Sequence, residues 1–170
     1  MDLEAFVRDV PDFPKEGVVF KDVTPLLKDP LAFRECILQM SERARKIDFN
    51  TMVAPEARGF IFAAPLAYEM GKALVPIRKP GKLPYKTKEI EYELEYGKAT
   101  LQMHVDAISN GDKVLIVDDI LATGGTMEAI ASIIEDSGGE VVGILCLAEL
   151  EFLNPRERLS GYRVETLITY

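Results

Sequence analysis

The sequence predicts an α/β protein: a twisted parallel sheet with helices on both faces. Three observations predict it. Residues 114–117 are four consecutive apolar residues, the pattern of a strand buried on both faces. Strand-like and helix-like segments alternate along most of the chain, which implies parallel pairing through right-handed crossovers. The strand at 114–117 runs into Asp118 and Asp119, then into a loop with Gly124 and Gly125 and a helix from about Thr126. Open α/β sheets bind ligands at the carboxyl ends of their strands, so this loop is placed for binding.

The elements follow in order. Residues 2–9 predict a short helix. Asp29 followed by Pro30 is a strong helix start, an acceptor cap and a residue with preset φ. That helix should run to about 46, with Leu31, Cys36, Ile37 and Met40 on its apolar face. Residues 51–54 predict a strand that stops at Pro55. Residues 59–70 predict a helix ended by Gly71, with Pro65 kinking it or shifting its start. Residues 73–78 predict the next strand. Residues 86–103 alternate apolar and charged side chains around Gly97, which predicts an exposed hairpin or mobile arm. A strand at 113–118, a helix at 126–137 and a strand at 141–147 follow. Met127, Ile130, Ala131 and Ile134 give that helix its apolar stripe, and Gly138 with Gly139 ends it. The last segment, 162–170, alternates like a strand. No repeat or linker divides the 170 residues, which read as one domain, 1–170, long enough to bury a core.

Composition narrows the function classes. A hydrophobic content of 48% and a charged content of 28% describe an ordinary globular chain. A net charge of −8 argues against non-specific nucleic-acid binding, which needs a basic footprint. A local basic patch nevertheless stands at Arg78, Lys79 and Lys82. No apolar run approaches the ~20 residues of a spanning helix, and the first residues lack the basic and apolar regions of a signal peptide. The expected setting is therefore cytoplasmic, away from membrane. Cys36 and Cys146 have no metal or redox spacing and read as buried, reduced thiols. His104 is the single histidine, so a Ser-His-Asp triad centred elsewhere and a multi-histidine metal site are excluded; it reads as an ordinary strand position.

The loop after Asp119 has its own chemistry. Ala122, Gly124 and Gly125 let backbone approach an anion closely, and Thr123 and Thr126 add hydroxyl donors. The helix start supplies free N–H groups and a positive dipole end. No Lys follows the glycines as in a Walker loop, and there is no G-x-G-x-x-G. The acids three residues earlier would repel a phosphate but accept hydrogen bonds from sugar hydroxyls. Together these features suit a sugar phosphate, although a Gly-rich turn with one Asp as helix cap would need only one of the two acids. Arg58 and Gly59 follow the 51–54 strand at the same sheet edge, Arg58 with a planar fork suited to phosphate and Gly59 with freedom for unusual backbone geometry.

These residues carry a resemblance. The segment 118–126 resembles the phosphoribosyl-pyrophosphate (PRPP) signature of type I phosphoribosyltransferases. Gly17, Val18, Val19, Phe20, Lys21 and Asp22 resemble the base-binding hood of the adenine phosphoribosyltransferases. Residues 56–60 resemble that family's pyrophosphate loop, and Leu94, Glu95, Tyr96 and Gly97 its mobile catalytic loop. The likeness runs in order from about 13 to about 150. It implies the type I phosphoribosyltransferase fold, with a hood over about 1–30 and a mobile arm over about 82–103. It implies transfer of the phosphoribosyl group of PRPP to adenine, giving AMP and pyrophosphate, with Mg²⁺ held mainly by substrate oxygens, in a homodimer.

The resemblance also assigns roles. Asp118 and Asp119 would hold the ribose diol, and Ala122, Thr123, Gly124, Gly125 and Thr126 the 5′-phosphate. Arg58, Arg78, Lys79 and Lys82 would receive the departing pyrophosphate, on which negative charge grows. Glu95 would carry a proton near the base and Tyr96 would help close the site. Adenine would stack between Phe20 and Leu150. The Val19 carbonyl would accept from its amino group, and the Lys21 N–H would donate to the adjacent ring nitrogen. Oxopurines reverse both polarities, which supports discrimination of ~10⁴-fold. Because these contacts are backbone, the side chain at Lys21 should matter little. A cis peptide is expected near Glu56–Ala57, turning N–H groups toward pyrophosphate. The chain departs from many relatives at Ala54 and Pro55, where they carry glycine. Three other readings stand beside it: an enzyme for a different base such as xanthine or guanine, a PRPP sensor that binds nucleic acid, and a ribose-phosphate-binding structural protein.

Overall fold

The computed structural model describes residues 1–94 and 97–170. The predicted helix at 2–9 is instead one 3-10 turn, Glu4–Phe6, followed by strand β1 (Arg8–Val10). β1 pairs antiparallel with β2 (Phe20–Asp22), a partner ten residues further on that no local pattern announces. Helix α1 (Thr24–Lys28) then leads into α2 (Pro30–Ala44). The Asp29 carboxylate accepts from the N–H groups of Leu31 and Ala32, both at 2.9 Å, so the cap works as the sequence implies. Leu31 is not on the apolar face: it is 66% exposed, because the buried stripe runs through Ala32, Cys36, Met40 and Ala44.

The chain continues as β3 (Thr51–Pro55), α3 (Arg58–Met70) and β4 (Ala73–Ile77). α3 runs on past Pro65. The carbonyl that Pro65 cannot serve belongs to Ile61, on the exposed side, where water can supply the bond. Gly71 closes α3 in the left-handed region at φ 62°. A hairpin follows, β5 (Thr87–Glu93) and β6 (Lys98–His104). Then come β7 (Lys113–Leu121), α4 (Gly125–Glu135), β8 (Glu140–Glu149), α5 (Pro155–Arg158) and β9 (Val164–Thr169).

The central sheet has the order β4-β3-β7-β8-β9, parallel throughout. Its two faces are both covered, which explains the unbroken apolar runs. Leu115 and Val117 of β7 enter one core with Cys36, Met40, Phe62 and Leu66 from α2 and α3. Val114 and Ile116 enter the other with Met127, Ile130 and Ile134 of α4. Each such side chain, fully buried, contributes about 1.5–3 kcal/mol. The hairpin is less exposed than its alternation suggests. Glu89, Glu91 and Glu93 face solvent, but Ile90, Tyr92, Leu101 and Met103 pack into the α4 core. Its inner face is thus a wall of the molecule rather than a solvated ribbon. Cys36 and Cys146 are buried free thiols, and desolvation pushes the Cys36 thiol up to about 12. Among the described residues, no helix is long and apolar enough to cross a membrane.

Candidate active site

The carboxyl ends of β3 and β7 open into a cleft of about 490 Å³. On its β7 side stand Asp118 and Asp119, still within the strand, which extends three residues beyond the expected end. Asp118 Oδ1 accepts from the Asp119 N–H at 2.8 Å. Burial first, and then the charge of Asp119, hold the Asp118 carboxyl well above its ordinary proton affinity; Arg58 offsets part of this. Asp119 is buried, and its Oδ2 has no hydrogen bond. Arg58 Nε does lie 2.6 Å from that oxygen. The contact is one of opposite charges without hydrogen-bond geometry, so this buried oxygen keeps an unused acceptor lone pair.

The loop after β7 is built as an anion cradle. Gly124, the N-cap of α4, sits at φ 87° and has no side chain to cap it, so the N–H groups after Gly125 stay open to a ligand. A Cβ at Gly124 would lie 3.2 Å from the Pro155 carbonyl, so α5 packs directly behind the loop. Ala122, Thr123, Gly124 and Thr126 line the cleft, while Gly125 is buried behind them. Thr123 Oγ1 accepts from the Gly125 N–H at a long 3.4 Å.

The opposite wall comes from the β3–α3 turn. The Glu56–Ala57 peptide is cis, as expected, and Glu56, Ala57 and Arg58 all line the cleft. Gly59 has a different role from the one its sequence suggests. It is an ordinary helical residue, and its missing Cβ makes room: one placed there would stand 3.0 Å from Asp118 Oδ1 and 3.2 Å from the Val117 carbonyl. The helix can therefore approach β7 until Arg58 reaches Asp119.

The basic patch divides. Lys79 lines the cleft, but Arg78 and Lys82 are not on its wall. Arg78 Nε donates to Glu56 Oε1 at 3.2 Å, and the Lys79 N–H donates to the same oxygen at 2.8 Å. That backbone bond and the Arg78 charge hold the Glu56 carboxyl below its usual range. Glu56 thus ties the β3–α3 turn to the end of β4, a contact between distant segments that no sequence pattern marks.

The hood lies beside this cleft rather than in its wall. Phe20 packs edge-on against Phe13 with centroids 5.1 Å apart, and Arg58 Cζ lies 5.1 Å from the Phe20 ring centroid. Arg58 is therefore the link between hood and acid pair. Val19 is 48% exposed; Leu150 is half-buried, its N–H bonded to the Leu121 carbonyl at 2.9 Å. The Lys21 side chain, expected to matter little, makes contacts of its own. Its Nζ lies 2.7 Å from Asp9 Oδ1 and 3.8 Å from the Tyr170 ring centroid. Glu95 and Tyr96 lie outside the described residues. Tyr92, absent from any motif, lines the cleft, and its hydroxyl lies 3.2 Å from Thr126 Oγ1.

Comparison with known proteins agrees with this arrangement. The phosphoribosyl transferase domain matches residues 23–165. The chain is 65% identical, over the whole of both chains, to the adenine phosphoribosyltransferase of Kosmotoga olearia. It superposes on the crystal structure of adenine phosphoribosyltransferase from Thermoanaerobacter pseudethanolicus with TM-score 0.97 and 50% identity, covering 99% of this chain and 98% of that one. The Saccharomyces cerevisiae adenine phosphoribosyltransferase, solved with an imino-altritol bisphosphate and adenine, matches with TM-score 0.89 and 35% identity over 97% and 96% of the two chains. With its cradle, its paired acids and full-length identity of this order, the chain belongs to the adenine phosphoribosyltransferases of the phosphoribosyl transferase family.

Proposed function

We propose that the chain joins adenine to the 5-phosphoribosyl group of PRPP, forming AMP and releasing pyrophosphate, with Mg²⁺ as cofactor. The observation that carries this reading is the meeting of Asp118, Asp119, the Ala122 to Thr126 cradle and Arg58 around one cleft. The acids offer buried oxygens to the ribose hydroxyls, and their charge favours the positive charge that develops on the sugar ring. The cradle holds the 5′-phosphate. Arg58, freed from Asp119 by the arriving ligand, and Lys79 face the leaving pyrophosphate, with Arg78 and Lys82 placed further out. Phe20 and Leu150 stack the base, while Val19 and Lys21 read its edge through backbone groups. Adenine bound to the yeast relative supports this choice of base.

The residues present fit the metal. Asp118 and Asp119 are hard oxygen donors, and one buried oxygen of Asp119 lacks a hydrogen bond. Mg²⁺, when bound mainly by substrate oxygens beside them, neutralises charge growing on the pyrophosphate. Glu95 carries a proton near the base and Tyr96 helps to close the site in this reading. A homodimer is part of it, supported by Ile61 and Tyr68 exposed on α3 and Leu74 exposed on β4. The reaction is set in the cytoplasm, where the buried free thiols Cys36 and Cys146 stay reduced. Following AMP formation from adenine and PRPP, with Mg²⁺ and again after chelation, tests the proposal. AMP only when the metal is present is expected. AMP at full rate after chelation would remove Mg²⁺ from the mechanism, and no AMP in either case would remove the activity.

A further inference from the structure

Tyr92 stands on the inner face of the hairpin with its ring packed into the α4 core. Its hydroxyl reaches the cleft and meets Thr126 Oγ1 at 3.2 Å, in a half-buried position where either oxygen can donate. Thr126 is the second residue of α4 and part of the cradle read above as the 5′-phosphate site. We infer that Tyr92 is a positioning residue for that phosphate, acting through Thr126. The inference rests on the proposed cradle.

The chemistry follows from counting protons. A threonine hydroxyl has one proton and two lone pairs. When the Tyr92 O–H donates to Thr126 Oγ1, the Thr126 proton is left to donate to an anion, and the chain Tyr92 to Thr126 to phosphate is polarised in one direction. When no anion is present, the same pair can point the other way, and only two hydroxyl rotations separate the states. Tyr92 thus fixes the Thr126 rotor once phosphate arrives. It also ties the cradle to β5 of the hairpin.

The test is calorimetric binding of ribose 5-phosphate and, separately, inorganic pyrophosphate. Four proteins are compared: the unsubstituted chain, Tyr92→Phe, Thr126→Val and the double variant. Phenylalanine keeps the buried ring, and unchanged melting of Tyr92→Phe confirms the packing. Tyr92→Phe should weaken ribose 5-phosphate binding about 3- to 10-fold, the scale of one hydrogen bond. Pyrophosphate binding should change far less, and in catalysis the loss should fall on KM for PRPP more than on kcat. In the Thr126→Val background, removing the Tyr92 hydroxyl should add nothing further. Equal weakening of both ligands, an unchanged ribose 5-phosphate affinity, or an additive double variant would each overturn the proposal. If the unsubstituted chain bound no ribose 5-phosphate, the cradle reading itself would fall, and this inference with it.

Discussion

Asp118 carries an electrostatic cost at the place the proposed function gives it. Burial and the neighbouring charge of Asp119 raise its pKa above the ordinary 3.8. An acid with a raised folded-state pKa destabilises the fold at pH values above the unfolded value, and that penalty fades as pH falls from the folded value toward the unfolded one and is gone below it. Asp118→Asn removes it. The variant should melt about 2–4 °C higher near pH 7, the shift that ~1 kcal/mol gives a chain of this size. The gain should shrink toward pH 4, while turnover falls by ~10²-fold or more because the diol and ring charge lose their partner. Scanning calorimetry across pH beside a rate assay checks both; a variant less stable at pH 7 would contradict the electrostatic reading. Asp118 and Asp119 are legible in the sequence because strand end, acids and glycines are contiguous. The work of Gly59 is not legible, because the Asp118 oxygen 3.0 Å from its missing Cβ comes from a strand 59 residues away.

At the scale of elements, β8 and α5 are joined by a nearly buried carboxylate. Glu149 accepts from Arg156 Nη2 at 2.8 Å and from Thr166 at 2.9 Å, with Thr169 further out. The Arg156 bonds, more than any other contact, hold its pKa below the ordinary 4.5. A lowered folded-state pKa contributes stability above the unfolded value, and that stability is lost as pH falls through the folded value. Glu149→Gln should therefore cost about 2–3 kcal/mol at pH 7, the lower range for a broken pair because Arg156 is half-exposed and can turn to water. Urea unfolding at pH 7 and again near pH 4 measures this, and the cost should narrow at the lower pH. An equal cost at both values would show that shape, not charge, matters there. Because α5 backs the Gly124 turn, loosening this pair should also loosen the cradle. The helix expected at 2–9 is a 3-10 turn, and the short α1 and α5 carried no signal of that length. α2, α3 and α4, the parallel strands and the hairpin were legible to within a few residues, since period and caps are local. The hood was not: β1 and β2 pair across a cis Phe13–Pro14 bond, and Lys21 is fixed by Asp9 and Tyr170, all contacts between segments.

For the whole molecule, the sheet brings segments from three strand ends into one place. β3 supplies Arg58 through the turn that follows it, β4 leads to Lys79, and β7 supplies the acids and cradle. The order β4-β3-β7 makes these neighbours in space although 61 residues separate Arg58 from Asp119. The sequence places each group at a strand end, but which cations face the cleft is decided by tertiary contacts: Glu56 holds Arg78 aside while Lys79 stays on the wall. The nucleic-acid-binding sensor reading loses ground because the chain matches enzymes over its full length. In the proposed function base selection rests on the backbone of Val19 and Lys21; the Lys21 side chain is anchored by Asp9, and Phe20 between them meets Arg58. The most direct test is pyrophosphate release from PRPP and Mg²⁺ with adenine, hypoxanthine, guanine or xanthine in separate reactions. Release with adenine alone is the expected result, since an oxopurine would set like polarity against both backbone groups. Release with an oxopurine at a comparable rate would contradict the hood, and PRPP binding without release for any base would contradict the enzyme.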